Sequence, residues 1–147
     1  MDVTDMFSEM PFNDHLGIEV TEAADGRAVG HLELGTEHSS NPNRLVAHGG
    51  VAYALADTVG GAAVISANFT VTPTIDMRID YLSPATGGRL DAEAEVVRNG
   101  DSVAAVDIEV TDESGTTVAT ARGTYKTGGG NGGSAWHSGD DEYTNGK

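Results

Sequence analysis

Hydrophobic and polar residues alternate strictly in the second half of the chain. From Ile75 to Tyr81 every second residue is apolar, and charged residues fill the positions between them. This period of two predicts a half-buried antiparallel β-strand over residues 74–82. Comparable strand patterns cover residues 89–98, 103–110 and 117–125. Short turn sequences such as Asn99-Gly100 join them, and turns of that length allow only antiparallel neighbours.

The first half predicts a short helix, a hairpin and a loop. Apolar residues among positions 1–14 fall roughly on one helical face, and we expect Pro11 to end that helix. Three elements follow: a strand over 16–22, a turn at 24–26 and a strand over 27–34. The polar segment from Gly35 to Arg44 is predicted to be a loop, with His38 at the surface.

The segment between the two halves is long, apolar and rich in alanine, which predicts a helix over most of residues 45–67. Asp57 is its only charged residue when His48 is counted as neutral. Because an unpaired charge is costly to bury, Asp57 is the first candidate for a functional role. The segment is long enough to span a bilayer, but its His, Asp and glycines favour a helix buried inside a soluble protein.

The order of elements is two strands, one long helix and four strands. It predicts an α+β fold in which an antiparallel β-sheet wraps around one long central helix, over residues 1–126. Residues 127–147 are mostly Gly, Asn, Ser, Asp and Thr, and we expect them to form a disordered Gly-rich acidic tail.

Charge narrows the choice of partners and environment. The formal net charge is −15, from 23 acidic and 8 basic residues spread along the chain. Such a surface is typical of a cytoplasm with very high salt, where ions screen the repulsion between carboxylates. It disfavours nucleic acid as a partner. The absence of cysteine excludes disulfides and thiolate chemistry. The N-terminus has no secretory signal, so we expect a cytoplasmic protein, with neither cofactor nor metal.

Several short motifs together resemble the hotdog fold, and more specifically the PaaI-type acyl-CoA thioesterases. They are Leu16-Gly-Ile18, Asn41-Pro42, His48-Gly-Gly50, Leu55-Ala-Asp-Thr58 and the strand from Thr74 to Pro84. The resemblance covers roughly residues 12–126. It implies hydrolysis of an acyl- or aryl-acyl-CoA by a homodimer, which in this family often pairs into a tetramer.

The resemblance also implies roles for single residues. Asp57 corresponds to the catalytic carboxylate, the N–H of Gly49 polarises the thioester carbonyl, and Thr74 positions water or substrate. The loop asparagine of the family corresponds to Asn41 or Asn43, because the loop here is one residue longer than usual and lacks the family's glycine. The residues assigned to substrate binding are His48, Gly50, Asn43, Arg89 and Arg122. His48 is expected to fix the junction of loop and helix, and the two arginines to meet the phosphates of coenzyme A.

The spacing of two candidates constrains the site without reference to any family. Asp57 lies eight residues beyond Gly49, so on one helix they are about 12 Å apart along the axis. One carbonyl carbon cannot contact both. If both residues act, they come from different copies of the chain, and the site lies at a dimer interface.

Three alternatives remain open from the sequence. The domain could bind acyl-CoA without cleaving it, but a binding module needs no carboxylate at this position, so the presence of Asp57 argues against it. A hotdog hydratase would need a His soon after Asp57, and none follows at that spacing. Within the hydrolase hypothesis, Asp57 is either the nucleophile or the general base.

Gly60-Gly61 is expected to allow close packing of helix on sheet rather than to bind phosphate.

Overall fold

The computed structural model of the protein describes residues 2–128. Its helices are α1 (Val3–Ser8), α2 (Pro11–Leu16) and α3 (Gly49–Asn68), with a short 3₁₀ turn at Thr36–His38. Its strands are β1 (Glu19–Ala24), β2 (Arg27–Glu33), β3 (Thr74–Tyr81), β4 (Arg89–Asn99), β5 (Val103–Asp112) and β6 (Thr117–Lys126). The predicted disordered tail lies outside the described residues, apart from its first two positions.

The six strands form one antiparallel sheet in the order β1-β2-β4-β5-β6-β3. Strand β3 follows the helix in sequence but pairs with β6, so it forms one edge of the sheet and β1 the other. The helix α3 packs against all six strands. The predicted α+β fold, an antiparallel sheet around one long helix, is therefore confirmed.

The alternation of side chains gives the sheet two different faces. Towards α3, four strands place buried residues directly opposite one another: Ala28, Ala94, Ile108 and Ala121. One position away on each of the same strands, the outward row is charged: Arg27, Glu95, Asp107 and Arg122. This pattern buries one face of the sheet and leaves charged residues of both signs on the other.

The helix α3 is the centre of the hydrophobic core. Small residues make up most of its buried side: Ala52, Ala56, Gly60, Gly61, Ala62 and Ala63. Larger apolar residues, among them Leu55, Val59 and Val64, are fully enclosed. Within residues 2–128, α3 is also the one helix long and apolar enough to cross a membrane, and most of it is buried against the sheet.

The N-terminal prediction was partly wrong. Pro11 does not end a helix; it occupies the first turn of a second one, α2, where proline's missing N–H leaves no hydrogen bond unmade. Leu16 belongs to that helix, which Gly17 ends in the left-handed conformation with φ of 80°. The strand therefore begins at Glu19 rather than at Leu16. The turn at 24–26 is confirmed, with positive φ at Asp25 and Gly26.

The prediction that His38 lies at the surface was also wrong, since only 4% of it is exposed. Its Nδ1 accepts the N–H of Gly35 at 3.0 Å, and its Nε2 lies 3.0 Å from the carbonyl oxygen of Leu16. The backbone carbonyl of His38 accepts the N–H of His48 at 2.8 Å. His38 thus fastens the polar loop both to α2 and to the start of α3.

The C-terminal strands follow the prediction closely. The hairpin at Asn99-Gly100 forms, although Asn99 is the last residue of β4 and the loop comprises residues 100–102. In β3 the alternation is present, but Ile75 and Tyr81 are exposed in the single chain. The reason is that β3 is an edge strand with a bulge between Thr74 and Asp76.

Candidate active site

The carboxylate of Asp57 lies on α3, where the helix faces the pair formed by β3 and β6. Its Oδ1 accepts a hydrogen bond from the hydroxyl of Thr74 at 2.7 Å and another from the hydroxyl of Tyr125 at 3.0 Å. Thr74 and Tyr125 stand directly opposite each other on the two strands. No other residue among those described donates to either oxygen of this carboxylate, so Oδ2 remains open.

Tyr125 is enclosed by the core, with 1% of its surface exposed. Burial, and then the negative charge of Asp57, raise the pKa of Tyr125 far above its usual range. The phenol therefore stays protonated and acts as a hydrogen-bond donor. Gly60 makes room for it, because a Cβ at that position would lie 2.6 Å from the Tyr125 oxygen. This agrees with the predicted packing role for Gly60, whereas a Cβ on Gly61 would lie 3.6 Å from its nearest neighbour.

The second group of candidates lies at the start of α3. His48 is the N-cap residue, and its Nδ1 accepts the N–H of Gly50 at 2.8 Å. Within residues 2–128 the N–H of Gly49 has no hydrogen-bond acceptor. It points out of the positive end of a helix of 20 residues, which is an arrangement suited to a developing negative charge.

A cavity of about 380 Å³ opens beside Gly49. Its wall is mostly apolar and includes Ala52, Leu82, Pro84 and Val118. Tyr81 forms one side, and its hydroxyl donates to the carbonyl oxygen of Gly49 at 2.7 Å. Burial, and then the neighbouring Tyr53, raise the pKa of Tyr81, so it too remains a neutral donor. The cavity offers an apolar group a place next to the free N–H.

The structure does not bring Gly49 and Asp57 together. Both belong to the same uninterrupted helix, so their separation of eight positions corresponds to about 12 Å along its axis. A single chain therefore presents two separate halves of a candidate active site: an N–H donor at the start of α3 and a carboxylate further along the same helix.

Neither loop asparagine makes a hydrogen bond with Gly49 or Asp57. The N–H of Asn43 donates to Oδ1 of Asn41 at 2.8 Å, and the N–H of Asn41 donates to the hydroxyl of Ser39 at 3.1 Å. These bonds fold the loop into a compact turn beside its own cavity, lined by residues 39–45 and Thr36. A catalytic role for either asparagine stays a prediction.

The two arginines assigned to coenzyme A both make ion pairs on the exposed surface. Arg89 pairs with Asp91 at 3.0 Å, at the start of β4. Arg122 pairs with Asp107 on the outward face of the sheet. Their contact with a substrate stays a prediction.

No group of His, Asp and Glu within residues 2–128 is arranged to hold a metal ion.

Tyr125 and Tyr81 are the functional candidates that the sequence did not reveal. Tyr125 lies 68 positions from Asp57, and the pattern of β6 shows only that its side chain faces inward. Tyr81 fits the apolar face of β3 equally well. The packing of α3 against β3 and β6, which no local pattern encodes, places both tyrosines beside the helix.

Comparison with known proteins gives the class of this fold and site. Residues 46–119 match the thioesterase superfamily. The Halobacterium salinarum protein VNG_1336C is 37% identical over 127 residues, covering 76% of this chain and 80% of the relative. The medium/long-chain acyl-CoA thioesterase YigI of Salmonella typhimurium is 29% identical over 136 residues, covering 81% and 86%.

A solved structure supports the same assignment. The PaaI protein from the phenylacetic acid degradation operon of Escherichia coli superposes with a TM-score of 0.79 at 28% identity, covering 88% of this chain and 92% of that one. The chain belongs to the thioesterase superfamily and has the PaaI-type hotdog fold. It is a thioester hydrolase, and its relationship to a Halobacterium protein fits the halophilic origin that its charge predicts.

Proposed function

We propose that the protein hydrolyses acyl-CoA thioesters in the cytoplasm, at a site that two copies of the chain build together. The observation that carries this proposal is the position of Gly49 and Asp57 eight residues apart on one uninterrupted helix. Because one chain cannot bring both groups to the same carbonyl carbon, a complete site combines Gly49 of one copy with Asp57 of the other.

The open N–H of Gly49 suits the carbonyl oxygen of a thioester. That oxygen becomes negative as the carbonyl carbon turns tetrahedral, and an oriented N–H at a helix N-terminus stabilises the charge. Glycine is favourable there because it lets the substrate approach the backbone closely. The bond between His48 and the next N–H, that of Gly50, fixes the first turn so that the donor needs no reorganisation.

The carboxylate of Asp57 supplies the other half of the reaction. As general base it would take a proton from water while the water oxygen bonds to the carbonyl carbon; collapse then breaks the C–S bond and releases the coenzyme A thiolate. As nucleophile it would form an anhydride with the acyl group, expel the thiolate, and be freed by water. Thr74 and Tyr125 hold Oδ1 in both cases, which leaves Oδ2 to act.

The edge strand β3 is the favoured contact between the copies. Its free side presents unpaired backbone groups, which readily pair with a second strand. Ile75, Tyr81 and the following Leu82 are exposed apolar residues along or just beyond it. Thr74, at the start of this strand, contacts Asp57, and Tyr81, at its end, contacts Gly49. Antiparallel pairing of the two β3 strands about a two-fold axis would therefore bring Asp57 of one copy towards Gly49 of the other. Such a homodimer could pair again into a tetramer.

The name of the YigI relative supports acyl-CoA as the substrate class. The apolar cavity beside Gly49 suits the acyl group. The surface arginines Arg89 and Arg122 would meet the phosphates, because exposed ion pairs such as theirs are weak and exchange partners easily. Molar salt would weaken those contacts, so affinity would depend more on the pantetheine and acyl parts.

A complementation experiment tests the shared site. Asp57→Asn removes the base or nucleophile, and Gly49→Pro removes the N–H while remaining compatible with the first helical position. Co-expressed with two different affinity tags and purified as the mixed dimer, the two inactive variants should recover about half of the wild-type turnover, because one of the two symmetric sites is intact.

Gly49→Ala is the matched control, since it adds the same Cβ, 3.1 Å from Tyr81, but keeps the N–H. It should retain more activity than Gly49→Pro. A mixed dimer with no turnover, formed from variants that each fold and dimerise, would contradict the shared site. A wild-type protein that releases no coenzyme A from aryl-, short- or long-chain acyl-CoA at molar salt would contradict the proposed function itself.

A further inference from the structure

We propose that Tyr125 is a positioning residue for the thioesterase reaction: its hydroxyl, with that of Thr74, fixes Oδ1 of Asp57 and commits Oδ2 to the substrate. This inference rests on the proposed function and adds to it a residue outside the motif that surrounds Asp57.

The contacts are specific to one oxygen of the carboxylate. Both donors reach Oδ1, Thr74 at 2.7 Å and Tyr125 at 3.0 Å, and no described residue donates to Oδ2. A carboxylate free to rotate would present either oxygen. Two hydrogen bonds to one of them remove that freedom before the substrate arrives, which is how enzymes lower the entropic barrier of an attack.

The packing around Tyr125 fixes the position of its phenol. Its oxygen also lies 2.9 Å from the backbone carbonyl oxygen of Asp57, so its single hydroxyl proton is shared between two acceptors of the same residue. Gly60 and Gly123 leave room for it, because a Cβ on either would fall within 2.7 Å of a Tyr125 atom. The hydroxyl therefore has no alternative position within this packing.

Tyr125 is a donor and takes no part as a base. The phenol is buried behind Asp57 rather than exposed beside it. Thr74, by contrast, is exposed on the edge strand, where substrate or a second copy can reach its hydroxyl. The two donors thus divide their roles: Thr74 is open to the site and Tyr125 anchors the carboxylate from within the core.

The direct test is Tyr125→Phe, which removes one oxygen atom. Steady-state kinetics should show kcat reduced about 10- to 100-fold, the worth of one hydrogen bond to a charged group. KM should stay within about twofold of wild type, because Tyr125 does not touch the substrate.

Ser66→Ala is the matched control. Ser66 is a buried hydroxyl on the same helix, and it bonds to Gly26 and Ala63, far along α3 from Asp57. Both variants should lower the urea midpoint of unfolding, but only Tyr125→Phe should lower kcat. An equal loss of kcat in the two variants, an unchanged kcat in Tyr125→Phe, or a rise in KM alone would overturn the proposal.

Gly60→Ala provides a second variant should Tyr125→Phe fail to fold. The new Cβ would displace the hydroxyl without removing it, and kcat should fall, whereas Gly61→Ala should leave kcat unchanged. Equal turnover in these two variants would overturn the proposal. Wild-type turnover together with an inactive Asp57→Asn establishes the reaction separately, so failure of the anchoring role is distinguishable from failure of the proposed function.

Discussion

Gly60 and Tyr125 share one space between the helix and the sheet. A Cβ on Gly60 would lie 2.6 Å from the Tyr125 oxygen and 3.1 Å from Cδ1 of Ile108. On the neighbouring Gly61 it would lie 3.6 Å from the nearest atom, which is an ordinary contact. Two adjacent glycines of one helix therefore differ in what they tolerate.

We expect Gly60→Ala to destabilise the protein by about 1–3 kcal/mol, because the added methyl overpacks the core. Gly61→Ala should be neutral or stabilising by up to about 1 kcal/mol, since alanine favours the helix. Urea denaturation in high salt measures both. Equal free energies of unfolding for the two variants would show that Tyr125 is not confined by Gly60.

Asp57→Asn should reduce kcat about 10³-fold or more, because the neutral amide can serve neither as nucleophile nor as base. The amide is close in shape to the carboxylate and can still accept hydrogen bonds from Thr74 and Tyr125, so the protein should stay folded by circular dichroism. Oxygen-18 incorporation into Asp57 of the wild type, in a single turnover in labelled water, distinguishes the two mechanisms. Wild-type turnover in Asp57→Asn would remove Asp57 from the chemistry.

Phe69→Gly should stabilise the protein by about 1 kcal/mol. Phe69 caps α3 in the left-handed conformation, with φ of 55°, and 84% of it is exposed. Glycine relieves this backbone strain at the loss of little packing. Ala67→Gly, two residues earlier and inside the helix, should have the opposite sign. Thermal unfolding of the two variants compares them directly, and a shared sign would refute the argument.

The free energy of unfolding should increase when KCl is raised from 0.2 M to 3 M. The chain carries a net charge of −15, and salt screens the repulsion that opposes the folded state. Guanidinium is itself a salt, so the measurement requires urea. A variant with several exposed Glu changed to Gln should depend less on KCl; a stability independent of salt would contradict the halophilic interpretation.

The sequence was sufficient for most of the secondary structure. The alternation from Ile75 to Tyr81 identified β3, and the alanine-rich apolar segment identified α3, because each pattern reflects one local period. The motifs around Gly49 and Asp57 identified the two halves of the candidate site, and helical rise alone separated them.

Other features depend on information that no local pattern contains. Pro11 is as compatible with the first turn of a helix as with the end of one, so its sequence position did not distinguish them. His38 lies in a polar segment, and only its bonds to Gly35 and Leu16 explain its burial. The pairing of β3 with β6, which places Thr74 opposite Tyr125 beside Asp57, joins distant parts of the chain.

The placement of β3 at the far edge has a consequence for synthesis on the ribosome. Its only partner strand is β6, the last element of the described chain. Until β6 has emerged, β3 has no strand to pair with, and Asp57 lacks Tyr125. A nascent chain can assemble its hairpins earlier, but the surroundings of Asp57 are completed last. A premature stop between Pro84 and Tyr125 would leave a chain that contains every motif residue and still lacks one of the two donors to the carboxylate.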